Sequence, residues 1–228
     1  MPICPLVGRS PSALALCPPV RARSKTNDLT GSIELAGGAM SFLRNCEIYG
    51  EGESADYLYK VVSGAVRTCR FLGDGRRHIG AFYLPGDIFG LEANDEHQLS
   101  AEAISDSTIV VAKRSALITL AACESDIVRQ LWTSTAQELE RVQHHMLLLV
   151  KSAQERVASF LMEMAERLPM TEAMELPMSR QDIADYLGLT IETVSRSLTR
   201  LQTRAAIALP TSRRIVVRNR AALSRLNA

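Results

Sequence analysis

Residues 178–202 read MSRQDIADYLGLTIETVSRSLTRLQ, and their spacing decides the architecture of the C-terminal part. Ser179 is placed to cap a short helix, with Asp182 three residues on to return the hydrogen bond. Ile183, Ala184 and Leu187 share one face of that helix, and Ala184 is small where a crossing helix must approach closely. Gly188 can take the left-handed conformation that ends a helix in a tight turn. Leu189 plugs the turn, Thr190 caps the next helix, and Val194 and Leu198 face inward. A small residue, a glycine four positions later and an apolar residue six beyond that give helix-turn-helix spacing. Ser197 departs from it, standing where a larger apolar residue is usual, and Leu198 carries the packing instead.

With Val194 inward, Glu192, Ser195, Arg196 and Thr199 face outward from the second helix. As an intrahelical ion pair, Glu192 and Arg196 would be worth only about 0.2–0.5 kcal/mol. As base readers they do more. A carboxylate accepts from the cytosine amine, an arginine grips guanine through two acceptors, and each pairing discriminates by roughly 1–3 kcal/mol. The larger effect assigns Glu192, Ser195 and Arg196 to base contacts in the major groove of double-stranded DNA. Arg180, Gln181, Thr190 and Thr193 flank them, placed for phosphates. RAAIALPTSRRIVVRN (204–219) reads as two short strands around a turn, a wing whose Ser212 and Arg213 could reach the flanking backbone.

The charge is divided accordingly. From Leu176 onward there are nine arginines and no lysine against Asp182, Asp185 and Glu192, whereas the preceding part is net acidic. A polyanion partner is implied for the C-terminal piece alone. Upstream, residues 31–125 carry short apolar runs (DYLYKVVSGAVRTCRFL, HIGAFYL, STIVVAK) separated by glycine-bearing turns, which predicts an antiparallel barrel or jelly roll. From Asp126 the period becomes helical: Trp132, Thr135, Leu139, Val142, Met146 and Leu149 form a heptad seam over 126–150, narrow enough to suit a twin helix in a homodimer. A second helix follows in SAQERVASFLMEMAERL, ended by Pro169. The predicted fold class is therefore α+β: a flexible, proline-rich arm over 1–30, a β-roll over 31–125, a dimerisation helix over 126–150, and a winged helix-turn-helix over 151–228.

Other functions are poorly served by this composition. No apolar run approaches the ~20 residues of a membrane span, and SALALC is too short for an export signal. Five cysteines without a C-x-x-C fit reduced, isolated thiols in a cytoplasm. No metal site is expected, and a cupin-like enzyme would want an H-x-H motif that the chain lacks. His78 and His97, the barrel histidines, show no paired spacing for haem; an effector-gated sensor is the alternative reading.

Residues 40 to 225 resemble the CRP/FNR family of bacterial transcription regulators. GESADYLYKVVSGAVR (52–67) is similar to the family's barrel signature, LPGDIFGLEA (84–93) to the turn after it, and MLLLVKSAQERVASFLMEMAERL (146–168) to the junction of its two central helices. E-x-x-S-R, here Glu192, Ser195 and Arg196, is the recognition pattern of the FNR and FixK branch. The resemblance implies a homodimer on a palindrome near TTGAT, four bases, ATCAA, with half-sites one helical turn (~34 Å) apart. Only Cys4 and Cys17 stand where FNR has a tight cluster of iron–sulfur ligands. Leu99 precedes Ser100 where cyclic-AMP binders place an arginine. The expectation is a FixK-like activator without a cofactor, controlling microaerobic respiration, denitrification or nitrogen-fixation genes. Its Gly73–Asp74 hairpin aligns with a loop that touches RNA polymerase.

Overall fold

The computed structural model describes residues 36–123, 125–169 and 172–225; the arm expected over 1–30 lies outside them. Eight strands make the roll: β1 (Gly37–Phe42), β2 (Glu47–Tyr49), β3 (Tyr57–Ser63), β4 (Val66–Phe71), β5 (Arg77–Tyr83), β6 (Ile88–Phe89), β7 (Ser100–Ala103) and β8 (Ser107–Lys113). They form two antiparallel four-stranded sheets, ordered β1-β8-β3-β6 and β2-β7-β4-β5. Between the sheets the alternating apolar positions meet as an aromatic core of Tyr49, Tyr59, Tyr83 and Phe89. Phe89 stacks on Tyr59 at 5.1 Å and on Tyr83 at 5.0 Å. His97, 1% exposed, stacks on Tyr49 at 3.5 Å, and its Nδ1 lies 3.2 Å from a Glu92 oxygen. That histidine is part of the barrel packing.

Helices then take over. α1 (Arg114–Cys123) leads into the long α2 (Ser125–Leu149) and α3 (Ala153–Arg167). Helix thus begins before Asp126, where the sequence pattern turns helical. In α1 Leu117 is the buried residue, so the segment offers little periodic signal. The C-terminal part continues with β9 (Met174–Glu175), α4 (Arg180–Leu187), α5 (Ile191–Thr203), β10 (Ile207–Ala208), β11 (Arg214–Val217) and α6 (Arg220–Arg225). β11 pairs with both β9 and β10, so the wing is a three-stranded sheet whose third strand, β9, comes from the segment between α3 and α4. No helix among the described residues is long and apolar enough to cross a membrane.

α2 lies on the barrel by its polar side. The Tyr83 hydroxyl donates to Glu138 Oε1 at 3.0 Å, Arg141 pairs with Glu138 at 2.6 Å and Asp87 at 3.2 Å, and the Arg141 guanidinium sits 5.7 Å from the Tyr83 ring centre. Burial, and then the Glu138 charge, raises the Tyr83 phenol well above its usual range, so it stays a donor. The heptad seam points away: Trp132 is 77% exposed and Met146 64%, with Thr135, Leu139 and Val142 also exposed. Leu149 differs. It is half-buried toward the Gly188 turn, because α2 ends there, with its Leu149 carbonyl accepting from Arg156 Nη2 at 2.6 Å.

Beyond α2 one apolar core runs from the outside of the β-roll into the C-terminal part. Val157, Phe160, Leu161 and Met164 of α3 are fully buried in it beside Cys69, Ile79 and Phe82. Phe82 meets Phe160 at 6.2 Å and Tyr186 at 5.1 Å. Ser152 and Glu155 form a capping box that starts α3. The cysteines are not uniform, as five reduced thiols would be. Cys69 is a free, buried thiol and Cys46 a free, exposed one, but Cys123 is disulfide-bonded.

His145 sits where α2, β5 and α4 meet, its ring 4.1 Å from Tyr186 and 6.4 Å from His78. Among the described residues neither ring nitrogen has a hydrogen-bond partner. Burial, then the nearby His78 and His144, holds the imidazole down at about 4. An unfolded histidine takes its proton near 6.5. The unfolded chain therefore binds that proton first, and the stability held by neutral His145 is lost as pH falls from about 6.5 toward 4. Urea unfolding across this window is expected to show a falling free energy for the wild type and a shallower fall for His145→Phe; equal slopes would mean the imidazole is proton-accessible in the fold.

Candidate nucleic-acid interface

The helix-turn-helix is built by reciprocal caps. Ser179 donates to Asp182 Oδ2 through its amide at 2.9 Å and its hydroxyl at 2.7 Å, and the Asp182 amide returns a bond to the Ser179 hydroxyl at 3.1 Å. Gly188 ends α4 at φ 62°, a left-handed position that a side chain makes costly. Leu189 follows, its amide bonded to Ala184 O at 2.9 Å. Thr190 caps α5 by accepting from the Thr193 amide at 3.3 Å. Ile183, Ala184, Leu187, Val194, Leu198 and Leu201 are buried between the helices. Ser197 is buried too, at 5% exposure, tolerated because the apolar residues around it close the core.

Glu192, Arg196 and Thr199 are exposed on the outer side of α5. Ser195 is half-buried and accepts from Arg180 Nη1 at 3.3 Å. Its own backbone amide, and then the Thr190 hydroxyl, hold the Glu192 carboxyl below the usual carboxylate range. That carboxylate is an obligate acceptor near neutrality. Arg196 lies along its helix, Nε 3.4 Å from the Glu192 carbonyl. Ile191 joins Glu192, Ser195 and Arg196 around a shallow recess and is 37% exposed. Sequence reasoning passed over it because an isoleucine in a helix reads as core; its place directly before the acid was the available signal.

The flanking residues surround this face. Gln181 is exposed and donates to Asp185 Oδ1 at 2.6 Å. The Thr190 and Thr193 hydroxyls are 3.1 Å apart. Ser212, exposed, and Arg213, half-buried, occupy the turn between β10 and β11. Gly73 and Asp74 lie on the exposed tip of the β4–β5 hairpin, where Asp74 accepts from the Arg76 amide at 3.0 Å and its Nε at 2.7 Å. That tip does not stand apart. With the start of α5 it bounds a cleft of about 740 Å³ whose walls include Gly75, Arg76, Thr190 and Glu192.

A cluster of charges ties this module to the barrel. Arg77 Nη2 bonds Asp182 Oδ1 at 2.6 Å and lies 2.8 Å from Asp185 Oδ2. Arg67 Nη1 bonds Asp182 Oδ1 at 2.9 Å, while its Nη2 reaches Glu102 at 2.6 Å. Burial alone would raise the Asp182 carboxyl; hydrogen bonds from Ser179 and the two guanidinium groups outweigh it and hold it below the usual range. The partners lie more than a hundred residues apart in sequence, so no local pattern announces them.

Residues 155–226 match the family of Crp-like helix-turn-helix domains, and 39–122 the cyclic nucleotide-binding domain family. The nitrogen fixation regulation protein FixK of Azorhizobium caulinodans is 51% identical over 192 residues, spanning 82% of this chain and 77% of that protein. FixK of Rhizobium meliloti is 43% identical over 181 residues, 79% and 82% of the two chains. The structure of FixK2 from Bradyrhizobium japonicum superposes with a TM-score of 0.81 at 52% identity, over 84% of this chain and 98% of that one. CooA from Carboxydothermus hydrogenoformans, in a variant form, shares the fold with a TM-score of 0.73 at 19% identity, over 87% and 90%.

The turn between the two helices gives a test of local construction. A Cβ at Gly188 would meet nothing nearer than 3.6 Å, so Gly188→Ala introduces backbone strain without a clash. A left-handed alanine costs roughly 1–2 kcal/mol. Chemical denaturation is expected to register a loss of that size; a loss near zero would mean the turn relaxes out of the left-handed region.

Proposed function

The chain belongs to the CRP/FNR family of DNA-binding transcription regulators, and from that premise we propose that it is a cytoplasmic FixK-type activator. It acts as a homodimer on a palindrome of the form TTGAT, four bases, ATCAA, in genes of nitrogen fixation or low-oxygen respiration. The observation that carries this reading is the exposed α5 face, where an ionised acceptor, Glu192, stands one turn from a guanidinium donor, Arg196. Glu192 accepts from cytosine N4, Arg196 donates to guanine O6 and N7, and Ser195 serves either strand. Arg180, Gln181, Thr190, Thr193, Ser212 and Arg213 take phosphates around them. Arg180 spends one guanidinium bond on Ser195 and has further donors for an anion. The FixK names of the relatives support the regulon.

The dimer follows from the polarity of α2, whose ionic side rests on the barrel while Trp132, Thr135, Leu139, Val142 and Met146 face away. A second copy covering that stripe removes several large apolar side chains from water, each worth roughly 1.5–3 kcal/mol. The β4–β5 hairpin, with Gly73 and Asp74 exposed at its tip, faces RNA polymerase. No effector is needed. Tyr49, Tyr59, Phe89 and His97 fill the barrel with their own rings, and Leu99 packs beside Gly80 at the position where an anion-binding arginine would be required.

Purified protein in air, with nothing added, is expected to bind the palindrome over a scrambled duplex in fluorescence anisotropy. Glu192→Ala and Arg196→Ala should each weaken it by about 1–3 kcal/mol; wild-type affinity in both would defeat the base-reading assignment. Leu139→Asp combined with Val142→Asp should sediment as a monomer, and a dimer persisting in that variant would show that α2 is not the seam.

A further inference from the structure

We infer that β5 is the ruler that sets half-site spacing, with Arg77 and Asp185, supported by Arg67 and Asp182, as positioning residues. This rests on the palindrome reading above and goes beyond it. β5 is seven residues long and is held at both ends by different partners. At its start Arg77 bonds Asp182 and lies beside Asp185, both on α4, the helix that carries the recognition helix. At its end the Tyr83 hydroxyl bonds Glu138 of α2, the helix with the exposed seam. A charged, directional path from the α2 seam to the base-reading face therefore runs along this strand, beside the direct contact of His145 with Tyr186.

Adhesion and orientation come from different forces here. The apolar core between Phe82, Phe160 and Tyr186 holds barrel and helices together, but apolar burial is non-directional and leaves rotation poorly defined. The charges supply direction. Side-chain exposure is 4% at Asp182, 10% at Arg67, 11% at Asp185 and 19% at Arg77, so the cluster is largely removed from solvent. Its planar guanidinium groups accept only a narrow range of carboxylate geometries. With this arrangement formed, Glu192 and Arg196 remain exposed, so the locked orientation is compatible with reading DNA. An effector-gated relative must select such an orientation by binding a ligand; this chain does it with charges of its own.

The cluster can be loosened without touching the base-reading face. Arg77→Gln and Arg77→Ala are the variants, since Arg77 belongs neither to the Ser179–Asp182 cap nor to the residues assigned to DNA. Three duplexes are compared by anisotropy: an isolated half-site, and palindromes with four-base and six-base spacers. For the variants, half-site affinity should stay at the wild-type value while affinity for the four-base palindrome falls about tenfold, the size of a typical coupling between sites. Their preference for four bases over six should shrink with it. Arg77→Lys, which keeps the charge but loses the fork, should fall between. A spin-labelled residue at position 199 of each protomer gives a second readout that needs no DNA, a subunit-to-subunit distance distribution that broadens in the variants. Unaltered spacer preference and an unaltered distance distribution would overturn the inference, as would half-site affinity falling in parallel with palindrome affinity. If wild type fails to prefer the palindrome at all, the functional reading fails, and the distance distribution still decides whether β5 positions the helices.

Discussion

The carboxylate of Asp182 is where the two halves of the molecule become one. It closes the capping box that starts α4, so the first helix of the DNA-binding module depends on it. Its cap oxygen is Oδ2, and the other, Oδ1, receives Arg67 and Arg77 from the barrel. A carboxyl this buried is unfavourable alone and tolerable only when its partners surround it. Removing one partner from such a cluster typically costs on the order of 3–5 kcal/mol, because the remaining charges are left unmatched. Helix initiation and domain orientation thus meet on one carboxylate, each through its own oxygen.

α2 shows the complementary constraint. Amphipathic helices usually press their apolar stripe onto their own domain. Here Glu138 and Arg141 occupy that side, engaged with Tyr83 and Asp87, and the stripe is displayed. The barrel can accept a polar helix face because its core is already filled by its own aromatic rings. The two features fit one another: with the aromatic interior filled by the strands, the exposed stripe of α2 is free for the second chain of the proposed homodimer.

Much of this was legible in sequence because it is local. The alternation and turn glycines marked the roll, the change to helical period marked α2, and the sequence 178–202 carried its caps, its left-handed glycine and its inward residues in fixed order. What escaped was non-local or unperiodic. The cluster at Asp182 joins residues more than a hundred positions apart, and Arg67 and Arg77 look in sequence like ordinary strand-face charges. α1 buries Leu117 alone and offers no stripe. Leu149 keeps the heptad spacing but turns toward its own chain, since spacing cannot reveal where a helix meets the next domain. Ile191 escaped for the opposite reason, an apolar residue that the structure leaves 37% exposed beside Glu192.

The same distinction bears on the proposed reading, in which a cyclic nucleotide-binding fold serves without a nucleotide. In a two-state protein a ligand acts only through the difference in its affinity for the two states. Contacts within the chain can supply an equivalent bias permanently, at the cost of the switch. The aromatic stack of Tyr49, Tyr59, Phe89 and His97 occupies the barrel, Tyr83 carries the contact from that core to α2, and Arg77 carries it to α4. Tyr83 and Arg77, the two links beyond that stack, stand at the two ends of β5. In the proposed homodimer, association along α2 stays open, so a regulator built this way responds to how many copies are present.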